Sequence, residues 1–160
     1  WYPHAPYRFC ADGYWWTDRG DAHDPQKYGG RCFCLEYGGP DRVTRLDYDS
    51  TAVLSADPCV LATGGHSGYS AVNFAFLLGA KTIYLLGYDM QPSLLGPTAG
   101  QHHFNGDEPG QRHLRYHLWI PRYALLQRAL HDRGVDLINL TRHTAIPEYD
   151  VPRRSLDEIQ

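Results

Sequence analysis

The stretch from Thr63 to Asp89 constrains this chain more than any other. Thr63-Gly64-Gly65-His66-Ser67-Gly68 reads as a turn, and Tyr69 to Leu78 is apolar almost all round. A helix with no polar face is buried on more than one side. Gly79 stops that helix at the position just past its end, where a left-handed backbone is needed. Thr82-Ile83-Tyr84-Leu85-Leu86 is a continuous apolar run, the signature of a central parallel strand, and Gly87-Tyr88-Asp89 ends it. With Cys59-Val60-Leu61-Ala62 as the entering strand, this is a strand–turn–helix–turn–strand unit. Its right-handed crossover puts the chain in the α/β class.

The flanking sequence carries weaker signals. Tyr7 to Ala11, Arg31 to Glu36 and Val43 to Leu46 read as short strands. The first ends at Asp12-Gly13, Gly38-Gly39-Pro40 breaks the second, and Asp57-Pro58 closes this half. Pro92 to Gly110 reads as one long loop, and loops above about 12–15 residues in a compact domain are usually functional or disordered. Gln111 to Arg133 reads as helix with an apolar stripe of Leu114, Leu118, Leu125, Leu126, Ala129 and Leu130. Pro121 either kinks that helix or starts a second one. Val135 to Leu140 reads as the last strand, and Ser155-Leu156-Asp157-Glu158 is a capping-box pattern for a short terminal helix. At 160 residues the chain fits one domain spanning 1–160.

Composition bounds the function classes. Hydrophobic residues are 42% of the chain, enough for a core, and the net charge of -3 argues against a basic nucleic-acid groove. No apolar run reaches the roughly 18–20 residues of a membrane span. The cations are nearly all arginine, with Lys27 and Lys81 the exceptions. Arginine is the better fork for phosphate or carboxylate, although skewed codon usage produces the same bias. Cys10, Cys32, Cys34 and Cys59 do not make a disulfide scaffold or a complete structural zinc site. They read as reduced thiols of a cytoplasmic protein.

Several groups are candidates for chemistry. The turn Gly65-His66-Ser67-Gly68 combines glycines, which let a ligand approach the backbone, with the N–H groups of a helix start, which attract anions. Ser67 is placed to hold a phosphate oxygen or simply to cap the helix. The turn is neither a dinucleotide fingerprint nor a P-loop. The hydrolase elbow G-x-S-x-G needs glycine where this chain has Tyr69. Asp89, directly after a parallel strand, suits a ribose hydroxyl, Mg²⁺ or a loop anchor. His102-His103-Phe104-Asn105-Gly106-Asp107-Glu108 concentrates imidazole, amide and carboxylate groups, and histidine is the natural general base near neutral pH. His113 and His117 are one helical turn apart. Asp12 with Tyr14-Trp15-Trp16 suits an aromatic wall for a base or sugar.

Read together, TGGHSGYSAVNFAFLLGAKTIYLLGYDMQ (Thr63–Gln91), HHFNGDEP (His102–Pro109), GVDLINLT (Gly134–Thr141), the tail Pro152–Ile159 and Ala11–Trp16 resemble a family of phage and prophage proteins. These are similar to the archaeal 6-hydroxymethylpterin diphosphokinase-like group and, more distantly, to bacterial CMP-sialic-acid sialyltransferases. The resemblance implies a Rossmann-like fold, a mostly parallel sheet flanked by helices. It also implies a nucleotide or nucleotide-sugar ligand, with CMP-sugar or ATP as donor and Mg²⁺ as a cofactor candidate. On that resemblance Ser67 and Gly68 contact phosphate, with Gly65 and His66 beside them. Asp89 matches the acid after the family's central strand, His102 or His103 falls where a histidine base stands, and Asp12, Asn105 and Asp107 join the ligand-binding set. The family begins with a strand and a glycine-rich loop upstream of the position matching Trp1, so a partner chain or second copy is expected to cover that edge.

Two classes of function follow as expectations. One is a transferase moving a glycosyl or diphosphate group from a nucleotide-activated donor. The other is a non-catalytic nucleotide-binding or phage structural protein, which adds the virion to the cytoplasm as a location. A serine hydrolase using Ser67, Asp89 and His103 ranks last, because of Tyr69.

Overall fold

The computed structural model of the chain describes residues 5–11, 30–35, 43–92 and 115–159. It is mixed α/β, with short parallel sheets and, among the described residues, two α-helices. Its contacts group into two compact units, Trp1–Gly79 and Ala80–Gln160.

In the first unit, β1 (Tyr7–Phe9), β2 (Arg31–Cys34) and β3 (Val43–Arg45) form a parallel sheet in that order. The next strand, β4 (Asp47–Asp49), pairs in parallel with β5 (Val60–Ala62). At Leu46 the extended chain changes partner: Leu46 N–H donates to Cys34 O at 2.8 Å, and Asp47 N–H donates to Cys59 O at 2.8 Å. The extended chain expected over Val43 to Leu46 therefore runs on for three residues, Asp47 to Asp49, beyond what its apolar content suggests. Asp47-Tyr48-Asp49 has no apolar alternation, and it is extended because β5 supplies its hydrogen-bond partners.

Helix α1 spans Ser67–Leu77, and Gly79, at φ 87°, stops it as expected. Phe74 is its apolar anchor. The Phe74 ring lies 4.8 Å from Phe33 and 5.4 Å from Phe9, in a core completed by Leu35, Leu46 and Leu61. The opposite side of the sheet buries Cys32 and Cys34, with Cys10 and Val43 packed against them. All four cysteines are free thiols.

In the second unit, β6 (Thr82–Leu85) pairs in parallel with β7 (Asp136–Asn139), and α2 (Tyr116–His131) packs on β7. Two sequence expectations need correction here. The run Thr82–Leu86 suggests a strand buried on both faces, but burial alternates: Ile83 and Leu85 are inside, while Tyr84 is 45% and Leu86 66% exposed. Among the described residues β6 has β7 as its one pairing neighbour, which leaves the other face partly solvated. The apolar stripe of α2 also differs. Leu118 and Leu125 are about half exposed, and the buried face is Tyr123, Leu126 and Leu130. The ring of Tyr123 meets Tyr88 edge-on at 6.2 Å, and an aromatic pair of that kind adds to what area burial supplies. Pro121 lies inside one continuous helix. The expected terminal helix is a single 3₁₀ turn, Leu156–Glu158. Among the described residues no helix is long and apolar enough to cross a membrane.

Candidate functional site

The turn between β5 and α1 is the best-defined candidate. Gly64 and Gly65 take φ of 53° and 94°, conformations that cost any other residue strain. His66 N–H donates to Thr63 O at 3.0 Å, which closes the turn. The capping residue is His66 rather than Ser67: its backbone is extended and its Nδ1 accepts from Tyr69 N–H at 3.4 Å, a long bond. Ser67 therefore stands one position later, as the first helical residue, with its side chain exposed. Among the described residues neither the Ser67 hydroxyl nor the N–H groups of Gly65 and Ser67 have a hydrogen-bond partner. The first turn of α1 carries no acidic side chain, so the positive end of the helix dipole has no counter-charge of its own.

The turn glycines differ in their surroundings. A Cβ on Gly64 would lie 2.3 Å from Cγ of Tyr69, so the small residue there is required by the Tyr69 ring. That ring is fully buried, and its hydroxyl donates to Val53 O at 2.7 Å. Tyr69, which breaks the hydrolase elbow, is thus a structural post under the turn. Gly65 is exposed.

Asp89 belongs to the other unit and follows β6. Its side chain is exposed, and its carbonyl accepts from Ala145 N–H at 2.8 Å. Around it, Tyr88 N–H donates to Thr141 Oγ1 at 2.9 Å, and Thr144 Oγ1 donates to Tyr88 O at 2.6 Å. Desolvation pushes the Tyr88 phenol up to about 12. The segment bearing Asp89 is therefore tied to the residues that follow β7.

The remaining candidates, Asp12, Tyr14-Trp15-Trp16, His102, His103, Asn105, Asp107, Glu108 and His113, lie outside the described residues. Among the described residues no group of three His, Cys, Asp or Glu side chains could hold a metal ion.

Two groups of residues were not singled out in the sequence. Asn73, in the middle of an apolar helix, is fully buried and links three backbone groups. A lone amide within such a helix is the signal that could have found it, because a buried amide needs partners. Arg142, Arg153 and Arg154 line a cavity with the residues after β7, and no spacing rule predicts their meeting.

No protein family, curated protein or solved structure matches this chain.

Proposed function

We propose that this chain is a Rossmann-like, nucleotide-dependent transferase-like protein that holds the phosphates of a nucleotide-activated donor at Gly65–Gly68. The observation that supports this reading is the exposed Ser67 hydroxyl and the Gly65 and Ser67 N–H groups, which have no hydrogen-bond partner among the described residues, at the start of a helix whose first turn carries no acidic side chain. Donors already aimed at a phosphate stabilise charge without reorganising, the usual basis of phosphoryl and glycosyl transfer. On the resemblance, His102 or His103 would act as base.

A non-catalytic nucleotide-binding role is the second reading. In it the turn holds a nucleotide without chemistry, with His66 Nδ1 accepting from Tyr69 N–H in the helix cap rather than serving as a base.

Thermal unfolding with CMP, ATP, GTP and a CMP-sugar, each with and without Mg²⁺, tests both readings. A stabilisation by one nucleotide that disappears in Ser67→Ala supports the nucleotide site, and turnover of the CMP-sugar or ATP then separates transferase from binder. No stabilisation by any of them ends the proposal.

A further inference from the structure

The tail after β7 builds a second place where a ligand fits. Asn139 N–H donates to Pro152 O at 2.8 Å, and Arg154 N–H donates to Asn139 O at 3.1 Å. Arg153 thereby forms a parallel bridge with Asn139, and the tail lies along the end of β7. Arg153 Nη2 donates to Arg142 O at 2.9 Å, which draws in the segment just beyond the strand. Thr141 N–H donates to Asn139 Oδ1 at 2.9 Å and fixes the start of that segment. The result is a cavity of about 550 Å³ at the carboxyl ends of β6 and β7. That volume is in the range of small-molecule sites, and the carboxyl end of parallel strands is where ligands bind in α/β sheets.

The cavity is lined by charges of both signs. Arg142, Arg153 and Arg154 line it together with Glu148, Asp157 and Glu158. Among the described residues none of these arginines makes an ion pair. Backbone bonds hold some of them in place instead. The Arg153 guanidinium is on the Arg142 carbonyl, and Glu158 Oε2 accepts from Ser155 N–H at 2.6 Å. Arg142 and Arg154 are left with forks that suit phosphate or carboxylate, and Glu148 and Asp157 with acceptors that suit hydroxyl groups.

We infer that this cavity binds a small hydroxylated organic anion, its phosphate or carboxylate on Arg142 and Arg154 and its hydroxyls on Glu148 and Asp157. The site lies wholly within Ala80–Gln160 and contains none of Gly65, Ser67 and Asp89, so it goes beyond the nucleotide reading.

Calorimetric titration of the full chain with glucose 6-phosphate, glucuronate, glucose and inorganic phosphate tests this. Saturable binding of glucose 6-phosphate or glucuronate is expected, and which of the two binds distinguishes phosphate from carboxylate. Affinity should fall at least about tenfold in Arg142→Ala and in Arg154→Ala, a loss in line with one charge-assisted hydrogen bond each, and more modestly in Glu148→Gln. Both arginines are exposed, so circular dichroism should show each variant folded. Failure of both sugar anions to bind at millimolar concentration overturns the inference. So does binding unchanged in both arginine variants, or inorganic phosphate binding as tightly as the sugar anions.

Discussion

Asn73 and Ser55 form a closed ring of two hydrogen bonds: Ser55 N–H donates to Asn73 Oδ1 at 2.9 Å, and Asn73 Nδ2 donates to Ser55 O at 2.9 Å. The same Oδ1 accepts from Ala62 N–H at 2.8 Å, so one side chain serves the end of β5 and the loop before it. The amide acts as a strand edge would, satisfying backbone groups that α1 cannot reach with its own. Replacing Asn73 with Ala leaves the buried Ala62 N–H and the part-buried Ser55 N–H and carbonyl without this partner, at about 1–3 kcal/mol for a fully buried group and less for the others. Asn73→Ala should therefore destabilise the protein by about 2–4 kcal/mol, read as a lower urea midpoint. Asn73→Asp should cost at least as much, because it loses the donor to Ser55 O and buries a carboxylate. A midpoint unchanged in both variants would contradict this account.

Gly64 and Gly79 offer a controlled comparison. Both have positive φ, 53° and 87°, but a Cβ at Gly79 meets nothing within 4 Å, whereas at Gly64 it meets the Tyr69 ring. Gly79→Ala should cost about 1–2 kcal/mol from backbone strain alone. Gly64→Ala should cost a further 1–3 kcal/mol or so, because the buried ring must move. Thermal unfolding of the two variants side by side checks the difference.

Asp49 predicts a small acid-side effect. Its carboxylate accepts from the Thr51 hydroxyl and from Thr51 and Ala52 N–H, and these bonds, the hydroxyl first, hold its pKa below the ordinary 3.8. A depressed carboxylate contributes stability that is present above the unfolded value and lost as pH falls through the folded one. Asp49→Asn should lower the urea midpoint at neutral pH and converge with the parent chain at pH below that window.

Tyr88 predicts the opposite limb. Burial raises its phenol from 10.0 to about 12, so between those values the folded protein keeps a proton that the unfolded chain releases. Stability present below pH 10.0 is therefore lost as pH rises toward about 12. Tyr88→Phe should keep the edge-on contact with Tyr123 and flatten this alkaline decline, measured by denaturant titration across the range.

The sequence was most informative where a residue's own chemistry decides its conformation. Gly79 and Gly134 stop their helices because both take the left-handed backbone, at φ 87° and 70°. The glycine turn opens a helix directly after an apolar strand, as expected. The exposed Ser67 was also legible, although its role as a cap passed to His66. Side-chain chemistry alone does not say which of two adjacent polar residues will face the helix N–H groups.

What the sequence determined by itself was local: among the described residues, where most of the strands and the two helices lie and where those helices stop, since periodicity and backbone preference act over a few residues. Only the tertiary structure decided the rest. Asp47–Asp49 became a strand because β5 lay beside it, and α2 turned Tyr123 inward while Leu118 and Leu125 stayed half exposed. The tail carried Arg153 and Arg154 back to Arg142 through a bridge at Asn139. Each of these depends on a partner distant along the chain, and no local pattern encodes which partner that will be.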